Sequence, residues 1–191
     1  MKKLSILSSF RKNQNGMTFI EVLIAVVILV IGILGAVALQ AVAMKSSFDS
    51  MQRSLASSLA QDIVERMRGN NPNAIANYQL GSPFGGGGAG KKTDCAAALP
   101  VGCTAAQLTA NDLFEWEQAL MGAGTKYGTS LVGGLVNGVG CIRVVDDNRV
   151  TVTISWQGRI KLAERVSSKI GKACKTIKNK RRHVVVNAFI I

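Results

Sequence analysis

The sequence predicts an α+β protein, with one long N-terminal helix packed at its far end on a small antiparallel sheet. Three observations carry that prediction. Residues 22–39 form an uninterrupted apolar run, a helical-period stripe continues it to about residue 68, and the period changes to two between residues 149 and 156.

The apolar run from Val22 to Met44 is broken only by Gln40. As a helix, its strictly apolar part, Val22–Leu39, spans roughly 27 Å at about 1.5 Å per residue, close to the hydrocarbon thickness of a bilayer. Lys2, Lys3, Arg11 and Lys12 precede it, so the positive-inside tendency places the N-terminus in the cytoplasm and everything after Lys45 outside. Beyond the run, Phe48, Met51, Leu55, Leu59, Ile63 and Met67 recur at steps of three or four and predict one apolar stripe. The helix is expected to stop at "GNNP", residues 69–72, where glycine, two asparagines and proline combine. Gly32 and Gly35 lie inside it, each weakening it by about 1 kcal/mol relative to alanine in water, and mark a candidate bend or close helix contact.

Residues 69–103 read as irregular, with "SPFGGGGAGKKTDC" their most flexible part. A second helix is predicted over residues 105–121. Thr104 and Gln107 have capping-box spacing, Leu113, Trp116 and Leu120 share a face, and Gly122 and Gly124 end it. Val150, Val152, Ile154 and Trp156 then alternate with Arg149, Thr151, Thr153 and Ser155, a half-buried strand. "GCIRVVD" before it is the expected hairpin partner, turning through Asp146, Asp147 and Asn148, and "HVVVNAFI" is a third strand.

The net charge of +12 is concentrated in the N-terminal head and between Arg159 and Arg182, where Glu164 is the only acid. Such basicity attracts nucleic acid, anionic lipid or an acidic partner without choosing among them. Cys95, Cys103, Cys141 and Cys174 form no CxxC pair, and the single histidine, His183, lies nine residues past Cys174, so zinc ligation is not expected. No cofactor is expected either. Gly85, Gly90 and Lys91 have phosphate-loop spacing, but Lys92 stands where Ser or Thr belongs and no strand precedes the loop. Asp112, Glu115 and Glu117 share a predicted helix without a nucleophile or companion histidine, and no enzyme is predicted.

The most specific pattern is "GMTFIE". Gly16 precedes Met17, Glu21 follows four residues later, and the basic head comes before the apolar run rather than after it. An ordinary signal peptide places its cleavage site beyond the apolar part. Here the only candidate junction lies before it, so cutting would retain the membrane helix. Gly16–Leu39 thereby resembles the class III leader of type IV pilins, although phenylalanine is commoner than Met17 at the first mature position. The resemblance implies that a prepilin peptidase cuts after Gly16 and N-methylates Met17. It divides the chain into a removed leader (1–16), a transmembrane part of the helix (17–44), an amphipathic part (45–69) and a periplasmic head (70–191) with the pilin fold. A carboxylate near lipid costs a few kcal/mol on insertion scales, and the family pairs the matching glutamate with the N-terminal amine of a neighbouring subunit. Glu21 would then set subunit register.

The blocks "TAAQLTANDLFEWEQAL", "GCIRVV" and "VTVTISWQGR", followed by a basic-then-apolar strand, resemble the type IV pilus modification protein (PilV) family of minor pilins. That likeness implies an inner-membrane subunit with other minor pilins, the major pilin and a tip adhesin as partners, which primes assembly and supports twitching motility and adhesion. The competing reading is a minor pseudopilin of a type II secretion system. In a periplasmic head the cysteines would form disulfides. Of three possible connectivities, Cys95–Cys103 and Cys141–Cys174 are favoured, the first closing a short loop and the second pinning the basic excursion to the sheet. Lys172, Lys175, Lys178, Lys180, Arg181 and Arg182 could meet DNA phosphates. Without interleaved aromatics, a solvated loop or an acidic partner subunit is the better expectation, and nucleic acid is not the expected partner.

Overall fold

The computed structural model describes residues 16–90, 94–95, 102–146, 148–159, 174 and 180–190. Contacts divide the chain into two units, Met1–Ala43 and Met44–Ile191.

The first unit is the opening part of helix α1 (Phe19–Gly69). The Thr18 carbonyl accepts from the N–H groups of Glu21 (3.0 Å) and Val22 (3.3 Å), which starts the helix. Every side chain from Gly16 to Ala43 is exposed. A helix that is apolar all round yet has no protein against it is matched to lipid or to other helices rather than to water. It runs unbroken through Gly32 and Gly35, and a Cβ at either would meet nothing within 4 Å.

In the second unit the rest of α1 lies in the core. Its buried face is Gln52, Ala56, Leu59, Ala60, Ile63, Val64 and Met67. The expected stripe is therefore correct from Leu59 onward and rotated before it, with Met51 58% exposed and Leu55 only half-buried. Gln52 takes an inward position because both ends of its carboxamide are hydrogen-bonded. Its Oε1 accepts from the Val136 N–H at 3.0 Å, and its Nε2 donates to the Gly134 carbonyl at 3.5 Å. A polar side chain satisfied in this way is not penalised for burial.

A 3₁₀ helix, Pro72–Tyr78, follows within the stretch expected to be irregular. Asn71 caps it by accepting from the Asn73 N–H, and Pro72 opens it at no cost in hydrogen bonds. Helix α2 (Ala105–Met121) carries its capping box, with the Gln107 N–H donating to Thr104 Oγ1 (3.3 Å) and the Thr104 N–H to Gln107 Oε1 (2.9 Å). Gly122 ends it in the left-handed conformation. A two-stranded hairpin, β1 (Lys126–Tyr127) and β2 (Ser130–Leu131), was not signalled by any run of alternating residues.

The main sheet is antiparallel in the order β3 (Val139–Asp146), β4 (Arg149–Gln157), β5 (Arg181–Phe189). Val150, Val152, Ile154 and Trp156 of β4 face the core, as their alternation requires. Thr153 and Ser155 are buried too, so the strand is not half-buried along its whole length. On that second face Cys141 stands opposite Thr153 and is joined to Cys174, while Arg181 Nε donates to Ser155 Oγ at 2.9 Å.

Trp116 anchors α2 at the centre of this core. Fully buried, it donates its indole N–H to the Leu59 carbonyl of α1 at 2.8 Å and meets the Phe84 ring edge-on, centroids 5.3 Å apart. Phe84 in turn bridges to Gly140 of β3 through N–H···O=C bonds in both directions, 2.8 and 3.0 Å. A Cβ on Gly140 would collide with the Trp116 ring. Gly140→Ala is accordingly expected to destabilise the protein by about 1–3 kcal/mol through overpacking. Chemical unfolding of the full chain in detergent should read this as a lower midpoint with an unchanged slope.

Candidate processing and assembly segment

Gly16, Met17 and Glu21 form the segment singled out by the sequence. Gly16 and Met17 precede α1 outside any helix or strand; a Cβ on Gly16 would meet nothing within 4 Å, and Met17 is 72% exposed. Glu21 lies in the first helical turn with its side chain exposed. A carboxylate there is favoured by the unsatisfied N–H groups and positive dipole end of the helix. It is the only acid in the turn, and the next charged residue along α1 is Lys45. The segment thus presents a small residue open to an enzyme, an accessible Met17 backbone and one carboxylate at the head of a lipid-matched helix. A helix long and apolar enough to cross a membrane begins here.

The other residues considered for chemistry are placed in structural roles. Glu117 is 1% exposed, and the glycine loop wraps around it. Its Oε1 accepts from the backbone N–H groups of Gly85 (2.7 Å), Gly86 (3.1 Å), Gly87 (2.9 Å) and Gly88 (2.9 Å), and its Oε2 from Ala89 (2.7 Å). The loop expected to be the most flexible part is therefore tied along residues 85–89. Its backbone amides form an anion cradle, which the rejected phosphate-loop reading does not anticipate, and the anion is the protein's own. Gly85 must be glycine here: its φ is +115°, and a Cβ would run into the Gly138 carbonyl. Burial pushes the Glu117 carboxyl upward, but the backbone donors at Ala89, Gly85, Gly88 and Gly86 outweigh it and hold it below the usual carboxylate range. Lys91 and Lys92 lie outside the described residues.

Asp112 and Glu115 close a second network, at the C-terminal end of α1. Arg66 donates to Asp62 (3.0 Å), Asp112 (3.3 Å) and Glu115 (2.9 Å). The Tyr78 hydroxyl donates to Asp112 Oδ2 at 2.6 Å and accepts from Asn70 Nδ2 at 3.0 Å, which also donates to Thr109 Oγ1 at 3.0 Å. Burial and the Asp112 hydrogen bond push the Tyr78 phenol well above its ordinary value. Burial lowers the Arg66 guanidinium, but its bonds to Glu115 and Asp62 prevail and raise it. Among the described residues no group of three or more His, Cys, Asp or Glu side chains could hold a metal ion.

The cysteines are joined as Cys95–Cys103 and Cys141–Cys174, with Cα atoms 5.2 and 5.9 Å apart. Of the basic run, Lys172, Lys175 and Lys178 lie outside the described residues. Lys180 is exposed, Arg181 is engaged with Ser155 and with the Asn137 carbonyl at 2.8 Å, and Arg182 binds Asp49 at 3.0 Å. Burial lowers the Arg181 guanidinium. His183 is exposed on β5.

Residues 11–37 match the family model described as the prokaryotic N-terminal methylation motif, and residues 38–114 match that described as type IV pilin Tt1218. No curated protein and no solved structure matches the chain.

Proposed function

Because this chain is a type IV pilin carrying the prokaryotic N-terminal methylation motif, we propose that it is a minor subunit that helps to initiate a pilus. The motif implies processing by prepilin peptidase and assembly with other pilins, and the apolar helix implies membrane anchoring. On our reading the peptidase cuts between Gly16 and Met17 and methylates the new amine. Glu21 then pairs with the Met17 amine of a neighbouring subunit when the helix exchanges lipid for other pilin helices. The orientation follows from the basic leader: N-terminus cytoplasmic, head periplasmic, then the cell surface. The observation that carries this reading is the single exposed carboxylate in the first turn of an otherwise lipid-matched helix, four residues from Met17. An unpaired acid there is costly, whereas a pair with an amine in a low-dielectric filament core is not.

Within the family, the reading is a PilV-like subunit of a priming complex at or near the tip, working with other minor pilins, the major pilin and a tip adhesin. Its chemistry is assembly, and no catalysis is assigned to it. Deleting the gene should remove surface pili and twitching while leaving exoprotein secretion intact. Normal pili with lost secretion would instead identify a pseudopilin of a type II secretion system and overturn the proposal.

A further inference from the structure

Asp49 is a meeting point in the second unit. Its Oδ1 accepts from the Arg159 backbone N–H at 3.1 Å and its Oδ2 from Arg182 Nη2 at 3.0 Å. One residue earlier, the Phe48 ring carries the Arg159 guanidinium 4.1 Å from its centroid. The Gly158 N–H donates to the Lys180 carbonyl at 2.8 Å, which holds Lys180 beside the same strand ends. Lys45 and Arg53 stand four residues to either side of Asp49 on α1 and so share its face. One carboxylate, itself largely covered in its pair with Arg182, thus serves a group of five cations. Lys45, Arg53, Arg159 and Lys180 are all exposed, and none is paired with a carboxylate among the described residues.

Two of the group, Lys45 and Arg53, directly follow the apolar run along α1. Met44 closes the apolar run, so at about 1.5 Å per residue Lys45 to Arg53 occupy roughly the first 14 Å of helix beyond it. That is the depth of a headgroup layer and about one screening length above it. Lys45 and Arg53, carried on α1, are thereby offered to that layer, where lipid phosphates already lie. Arg159 suits them in particular, because it is held over the Phe48 ring and its guanidinium can still meet a phosphate with several donors.

We propose that Lys45, Arg53, Arg159 and Lys180 form a cationic collar that binds anionic lipid headgroups and holds the head against the bilayer before assembly. The collar rests on the membrane anchoring of α1. It supplies a second attachment, electrostatic and salt-sensitive, beside the apolar one. Extracting the subunit into a filament would require breaking both.

The test uses the full chain in nanodiscs of phosphatidylcholine, with or without phosphatidylglycerol, each carrying a dansyl headgroup label. The chain's two tryptophans, Trp116 and Trp156, both lie in the second unit and serve as donors. Energy transfer should be roughly twofold higher or more in the anionic discs, and high salt should remove the difference. Lys45→Gln, Arg53→Gln and Arg159→Gln together should bring transfer in anionic discs down to the neutral level. The wild-type salt response stands as an independent reading should the triple variant misfold. Equal, salt-insensitive transfer in both discs overturns the collar while leaving anchoring intact. A chain that enters neither disc overturns the anchoring reading and the collar with it. Tight oligonucleotide binding in neutral discs, lost in the triple variant and without any lipid dependence, would reassign the patch to nucleic acid.

Discussion

Gly16→Val should leave the chain uncut. On the proposed processing, the reacting peptide bond lies between residue 16 and Met17, ahead of α1, where a Cβ on the glycine would meet nothing within 4 Å. A β-branched side chain there stiffens the backbone and adds bulk at the bond the peptidase must grip. The expected result is full-length protein with an unmethylated N-terminus and no incorporation into pili, because the amine proposed to pair with Glu21 is never made. Mass spectrometry of the membrane fraction reads this directly: wild type should begin at methylated Met17, the variant at residue 1. A companion Glu21→Val change should be cut and methylated normally yet fail to assemble, which separates the two roles. A wild-type chain found uncut would remove the main support for the assembly proposal.

Glu117→Gln should cost roughly 3 kcal/mol, the second large effect, and it acts on the head rather than the helix. Five backbone N–H groups converge on the Glu117 carboxylate. A charged acceptor contributes about 1.5–3 kcal/mol per bond, and a buried donor left without one costs about 1–3 kcal/mol. Glutamine keeps the shape but turns one acceptor oxygen into a donor facing the Ala89 or glycine N–H groups, so at least one contact becomes donor against donor. The pH dependence has a definite sign. Because the folded carboxyl titrates below its ordinary value, the unfolded chain takes up this proton first on acidification. The stabilisation is therefore fully present above the ordinary carboxylate pKa of about 4.3 and is lost as pH falls through the lower folded value. Unfolding midpoints measured from pH 7 to pH 3 should fall for the wild type, and the Gln variant should start lower and change less. Equal midpoints at pH 7 would mean that the loop is held by something other than this carboxylate.

The parts of the molecule legible in the sequence are those whose physics is local. Thr104 and Gln107 are three residues apart, so their reciprocal capping is written in the spacing. The alternation of Val150, Val152, Ile154 and Trp156 likewise needs only the two-residue repeat of a strand. Gly16, Met17 and Glu21 are legible as a motif for the same reason, being contained in six residues. What escaped is what distant segments do to one another. The glycine loop looks unconstrained until Glu117, some thirty residues later, fills it. Gln52 belongs to the solvent by its polarity and to the core by its bonds to Gly134 and Val136, more than eighty residues away. Thr153 and Ser155 read as outward positions because the favoured Cys141–Cys174 pair does not say which face it lies on, and the bond from Arg181 to Ser155 has no local signal. The short 3₁₀ helix depends on Tyr78 reaching Asp112, a contact no local pattern contains.

The attachments of α1 within the second unit have a mechanical consequence. They are distributed along the helix and the residue just past its end: Asp49 to Arg159 and Arg182, Gln52 to Val136, Leu59 to Trp116, Arg66 to Asp112 and Glu115, and Asn70 to Tyr78 and Thr109. A load applied along the helix axis meets these bonds in shear, several at once, instead of peeling them one after another. Tension entering the head through α1 is shared over five points spaced across more than five turns. The helix is a rivet line in the head.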